Sequence, residues 1–156
     1  MKDVIKITKE DITMMDEFLT NFTLSVEAKE EIVLDSKDIR NLKELTEYNF
    51  DSRYVCNKTG QVYRIKSISS GRIIGVAMNP FITRDGYVEY VLTDRTGRKK
   101  HIQAQRIVAG LFLPKILGKD YVNHKSGVRD DNSVDNLEWV TASENIQHSW
   151  DKLRRR

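Results

Sequence analysis

Between Tyr121 and His148 the chain sets Asn123, His124, Asn136, Asn145 and His148 among short apolar runs. These side chains suit chemistry better than packing. An imidazole has an unperturbed pKa of about 6.5, so it is largely neutral near physiological pH and can take a proton. Carboxamide oxygens are hard, neutral donors, better matched to Mg²⁺ or Mn²⁺ than to a tight zinc site. Proton abstraction beside an oxygen-ligated cation is the chemistry this set allows, provided the fold brings distant residues together.

The flanking pattern supplies elements that can do so. An apolar run beginning at Val122 stops at His124, which places the histidine at a strand end. Lys125 to Asp135 reads as a loop, with Gly127 and a cluster of Asp, Asn and Ser. Leu137 to Val140 reads as a second short strand, with Leu137, Trp139 and Val140 as core. Thr141-x-x-Glu144 is a capping box that starts a helix. Asn145 and His148 are three apart on that helix and share a face. His124 can face them from the end of the first strand.

This segment resembles the HNH endonucleases of the phage and intron-homing type. Their ββα unit reads roughly V-N/D-H-x-D-G-x-x-x-N-N-x-x-x-N-L-x-W-V-T-x-x-x-N-x-x-H. The matching residues are His124, Gly127, Asn132, Asn136, Leu137, Trp139, Val140, Thr141, Asn145 and His148, with no gap. The resemblance implies metal-dependent hydrolysis of DNA, leaving 5′-phosphate and 3′-hydroxyl ends. His124 would be the general base. Asn145 would ligate one divalent cation, Mg²⁺ or Mn²⁺; Asn123 would be the second protein ligand or a backbone-positioned neighbour, and His148 a third ligand or a group that positions a phosphate. Asn136 would bond across the loop and fix His124 relative to the helix. Many relatives have Asp where Asn123 stands. Ser126 replaces the frequent Asp of H-x-D-G, and Asp131 the first of the paired Asn.

The preceding stretch supports the same unit. Gln105 to Pro114 reads as a helix ended before proline, with Ile107, Val108, Leu111 and Phe112 on its buried face. Relatives usually have His where Gln105 stands. Arg106 would reach either a phosphate or an internal ion pair. Arg53 to Cys56 and Gln61 to Ile65 flank Asn57-Lys58-Thr59-Gly60, a hairpin signature. Tyr54, Asn57, Gly60, Val62 and Tyr63 match an accessory segment that homing-type relatives often carry, regarded there as DNA-contacting. Arg72 to Val76 and Phe81-Ile82 read as short strands, and Gly86 to Leu92 as an alternating strand that turns at Asp94 to Gly97. Arg95, Arg98, Lys99 and Lys100 cluster at this turn, as phosphate contacts or as a solvated tip. Arg129, Lys152, Arg154, Arg155 and Arg156 would add phosphate contacts, and the last four also complement a helix C-terminus.

Charge divides the chain. Residues 1–50 hold 7 Lys/Arg and 12 Asp/Glu, net −5, and the remainder holds 19 and 11, net +8. A basic second part suits a polyanion, because cationic side chains displace counterions from phosphates. Residues 1–46 read as an acidic helical extension. Met15, Phe18, Leu19 and Phe22 form one face after a cap at Thr8, a second helix begins near Ser25, and a third follows Asp35 or Ser36 with Ile39, Leu42 and Leu45 on one side. This arm could carry a homodimer contact or a protein partner. Residues 47–156 read as the nuclease domain: 47–104 as accessory β-hairpins, 105–156 as a helix plus the ββα-metal unit.

The single cysteine, Cys56, excludes an internal disulfide and a Cys-ligated zinc site. No signal-peptide core opens the chain, and no apolar run approaches the roughly 18 residues of a membrane span. A cytoplasmic protein is expected, in the host-cell cytoplasm if phage encoded. The fold class expected is α+β, a ββα-metal (His-Me finger) core with preceding antiparallel hairpins and an N-terminal helical extension. The alternative is a non-catalytic DNA-binding or protein-interaction module on the same scaffold.

Overall fold

Helix α1 (Ala104–Phe112) is the hub on which the strands pack, in a computed structural model that describes residues 29–154. Its sequence alternates on a helical period, so Ala104, Ile107, Val108 and Ala109 are buried on one side. Leu113 closes it by donating to the Ala109 carbonyl at 3.1 Å, and Pro114 cannot continue the ladder.

The strands form three antiparallel sheets. The largest has the order β1-β5-β4-β3-β2, from β1 (Glu31–Leu34), β2 (Ile39–Asn41), β3 (Tyr54–Asn57), β4 (Val62–Ser69) and β5 (Arg72–Ala77). A second contains β6 (Phe81–Ile82), β7 (Val88–Thr93) and β8 (Lys99–Gln103), with β7 in the middle. In the third, β9 (Tyr121–His124) pairs with β10 (Leu137–Val140), and helix α2 (Ala142–Arg154) follows. Mixed strands and helices make the class α+β, as expected. Among the described residues no helix is long and apolar enough to cross a membrane.

Alternation decides which residues enter the core. On β7, Tyr90 and Leu92 point inward and join Phe50, Tyr54, Cys56, Val62, Ile107, Val108, Val122, Leu137 and Trp139 in one cluster. Burial pushes the Cys56 thiol up to about 12, so it stays protonated and packs as a small apolar group. Tyr90 clasps two sheets together. Its hydroxyl donates to the Gly60 carbonyl at 3.1 Å and accepts from the Val62 amide at 3.3 Å.

The helices expected from Thr8 and near Ser25 lie outside the described residues. The helix expected after Asp35 does not form. Its residues make strand β2, paired with β3, followed by two 3₁₀ turns at Leu42–Glu44 and Thr46–Tyr48. Short polar side chains there bind nearby backbone and favour turns: Asp35 accepts from the Lys37 amide and Asn41 from the Lys43 amide. Leu42 and Leu45 are both buried, and a spacing of three serves a 3₁₀ turn as well as an α-helix. Residues 31–46 therefore supply two strands of the large sheet.

The Tyr90→Phe variant strips two buried backbone groups of their partner while leaving the ring in place. Unfolding by urea should show a loss of about 1–3 kcal/mol relative to the unsubstituted chain.

Candidate active site

Strands β9 and β10 place His124 opposite Leu137 and Asn123 opposite Glu138. Between them runs a loop without a ladder of its own, so its backbone groups need other partners. Asn136 provides them. Its Oδ1 accepts from the Ser126 amide at 2.9 Å, its Nδ2 donates to the Asp131 carbonyl at 2.8 Å, and its carbonyl accepts from the Lys125 amide at 2.8 Å. One carboxamide thus ties the start of the loop to its end. The Gly127 amide adds a bond to the His124 carbonyl at 2.9 Å.

The hairpin turn of β3 and β4 supports the same loop. The Val134 amide donates to the Lys58 carbonyl at 2.8 Å. Gly60, with φ +90°, lies so close that a Cβ there would fall 2.9 Å from the Asn132 Cβ. Asn57 shapes the turn, its Oδ1 accepting from the Thr59 and Gln61 amides.

Asn132 in turn holds the candidate base. Its Nδ2 donates to the Asp130 carbonyl at 3.1 Å, which directs its Oδ1 toward the His124 ring. The His124 Nε2 lies 3.1 Å from that oxygen. An amide oxygen can only accept, so a neutral imidazole carries its proton on Nε2 and keeps a lone pair on Nδ1. His124 is only 5% exposed. Burial holds its pKa below the usual histidine value; the Asn132 bond and Asp131 act upward and Arg129 downward. The imidazole is therefore biased toward its uncharged form.

Helix α2 faces this histidine. The Thr141 hydroxyl accepts from the Glu144 amide at 3.2 Å and the Glu144 carboxylate accepts from the Thr141 amide at 2.8 Å, the reciprocal capping box. Starting the helix there turns Asn145 and His148, both half-buried, toward His124. With Asn123, Tyr87, Arg129 and Lys152 they line a cleft of about 860 Å³. The Asn123 Nδ2 donates to the Glu138 carboxylate at 2.8 Å, so its Oδ1 is left for another partner. Tyr87 stands beside His124, ring centres 6.1 Å apart, and the Arg129 guanidinium sits 4.9 Å over the Tyr87 ring while donating to the Asp85 carbonyl at 2.6 Å.

The structure brings together Asn123, His124, Asn145, His148, Arg129 and Lys152 of the residues singled out in the sequence. Asn136 sits behind the loop, not in the cleft lining. Arg95, Lys99, Lys100 and Arg106 lie outside the lining as well. Arg95 is engaged with the Phe50 carbonyl at 3.2 Å, and Lys100 approaches the Asp94 carboxylate at 3.9 Å. Arg106 is half-buried and makes no ion pair among the described residues. Arg154 ends α2, exposed, and Arg155 lies outside the described residues. Sequence reasoning missed the part played by Asn132. Its signal was there, an Asn at a fixed place in the motif, but its partner is fixed only by the folded loop. The Asn136→Ala variant should leave the Ser126 amide and the Asp131 carbonyl without a partner and cost about 1–3 kcal/mol in chemical unfolding.

A family model described as HNH endonuclease matches residues 103–147, a span that takes in α1, β9, the loop, β10 and the start of α2. Among curated relatives, the chain is 33% identical over 99 residues to the DNA endonuclease I-HmuI of Bacillus phage SP01, covering 64% of this chain and 52% of the relative. It is also 33% identical over 120 residues to an uncharacterized HNH endonuclease, L247, of Acanthamoeba polyphaga mimivirus, covering 74% of this chain and 27% of the relative. The chain thus spans about half, or less, of the length of the curated relatives it matches. A solved structure concerned with DNA binding and cleavage by the HNH homing endonuclease I-HmuI superposes with a TM-score of 0.59 at 31% identity, covering 74% of this chain and 59% of that one. The matched span holds both strands and the start of the helix that bear the cleft residues, and on that footing this part of the chain belongs to the HNH endonuclease family.

Proposed function

We propose that this chain is a metal-dependent DNA endonuclease that hydrolyses phosphodiester bonds with His124 as general base, on a ββα-metal unit formed by β9, β10 and α2. The observation that carries the reading is the fixed His124 ring: Nε2 is engaged by Asn132, Nδ1 is left basic, and Asn145 and His148 stand across the cleft. A water placed against Nδ1 gives up its proton there as its oxygen bonds to phosphorus. The bond from phosphorus to the 3′ oxygen breaks and that oxygen takes a proton from solvent water, leaving a 5′-phosphate and a 3′-hydroxyl.

The cleft fits a divalent cation of the Mg²⁺ or Mn²⁺ kind. Asn145 and Asn123 offer amide oxygens and His148 an imidazole, all neutral. Among the described residues no group of three His, Cys, Asp or Glu side chains converges, which disfavours a closed zinc site. When bound, such a cation supplies positive charge for the phosphate and the leaving oxygen. Neutral ligands leave much of its affinity to the substrate's own oxygens. Asn136 keeps the loop closed so that His124 holds its place relative to α2. Arg129, pinned over Tyr87, is set to meet a phosphate at the cleft rim. Relatives in a bacteriophage and a giant virus favour a phage or mobile-element setting.

A second reading has one observation behind it. Among the described residues the cleft lining holds no Asp or Glu, and Asn123 stands where many relatives have Asp. A scaffold that binds DNA without cutting it would share this feature.

Plasmid DNA incubated with Mg²⁺ or Mn²⁺ separates the two. The unsubstituted chain should cut, and His124→Ala should cut about 10²–10⁴-fold more slowly. Equal rates for both proteins would remove His124 as the base; binding with no cutting under any divalent cation would select the second reading.

The pH dependence follows from the environment of His124. The base works uncharged, and burial lowers its pKa from the ordinary 6.5. The acid limb of kcat/KM should therefore have its midpoint below 6.5, with activity lost as pH falls through it. A midpoint above that value would contradict the buried-base assignment.

A further inference from the structure

Lys152 lies in the last turn of α2 and lines the cleft with His124, Asn145 and His148. Its stem passes directly over Gly127. A Cβ at that position would collide with the ammonium nitrogen and come within 2.7 Å of both Cδ and Cε. Gly127 also has φ +77°, a conformation that L side chains rarely adopt. The loop thus leaves a channel in which the lysine reaches the cleft floor.

Among the described residues Lys152 makes no ion pair, and the adjacent Asp151 carboxylate accepts from the Gln147 side chain at 2.9 Å. Among the described residues no Asp or Glu lines the cleft, and Arg129 is the further cation in its lining. A lysine in a concave site with neutral amides, imidazoles and no carboxylate creates a positive potential that favours an anion.

We propose that Lys152 is a phosphate-binding catalytic residue that seats the scissile phosphodiester in the cleft without help from a divalent cation. The proposal rests on the cleft being the phosphodiester site. The protein would then bind DNA phosphate first, and the neutral ligands would take up the cation only with that phosphate in place.

The test uses the whole chain in EDTA, titrated separately with inorganic phosphate and with a short DNA duplex. The Gly127 amide and the His124 and His148 ring signals are followed by NMR. Both probes should give saturable shifts in the unsubstituted protein. Lys152→Met keeps the stem and removes the charge, and should weaken the phosphate response by about tenfold or more. Lys152→Arg should largely retain it. An unchanged midpoint in Lys152→Met, or no saturable response to DNA in the unsubstituted protein, would overturn the proposal. With Mg²⁺ or Mn²⁺ and saturating DNA, single-turnover cleavage by Lys152→Met should fall on the order of 10²-fold. A fall of less than about threefold would remove Lys152 from the reaction, because loss of one charged contact at a transition state is far larger. If the unsubstituted chain never cuts while the Lys152-dependent phosphate shifts persist, the endonuclease reading fails and the anion site stands.

Discussion

Everything in the cleft depends on the closure of one loop by carboxamides. From Lys125 to Ser133 the backbone has neither a helix nor a partner strand, yet it must keep a histidine ring at a fixed angle. Asn136 solves the first half of this problem by bonding to both arms of the loop. Asn132 solves the second half by taking the Asp130 carbonyl with one end and the His124 ring with the other. An Asn offers a donor and an acceptor on one short rigid plane, so it can bridge a carbonyl to an amide or a ring N–H. Asp would lose the donor, and Ser could not span the distance. The asparagines of this motif are thus the substitute for the missing secondary structure.

Much of this was legible in the sequence, and for physical reasons. The capping box at Thr141 and Glu144 is a local signal, complete within four residues, and it forms as read. The Asn57 to Gly60 turn, the alternation on β7 and the stop before Pro114 are local too. By contrast, Leu42 and Leu45 have a spacing shared by two kinds of helix, and the choice between them fell to Asn41, Asp35 and the pairing of β2 with β3. Which cation meets the cleft was equally hidden. Arg129 and Lys152 reach it because of Tyr87 and Gly127, residues distant from them in the chain or silent in any pattern of charge.

Electrostatics gives the site a consistent character. The lining combines two imidazoles, neutral amides and two cations, and burial favours the uncharged form of His124. Such a lining favours a polyanion and, on the proposed function, leaves a divalent ion to bind largely through the substrate's phosphate. Carboxylate-rich sites do the reverse, holding their ion before substrate arrives. Asp131 pulls the ring toward its charged form from outside the lining, and burial outweighs it.

The contact between Gly60 and Asn132 has a consequence for how this module can be rearranged in evolution or in the laboratory. The stretch matched by the HNH endonuclease family, residues 103–147, does not include the turn on which its own loop rests. A fusion that transplanted only that stretch would carry His124 and the start of α2 but leave Asn132 without its floor and the Val134 amide without the Lys58 carbonyl. The unit of exchange is therefore larger than the motif. It begins no later than β3, and a graft that starts there moves the hairpin and the cleft as one piece.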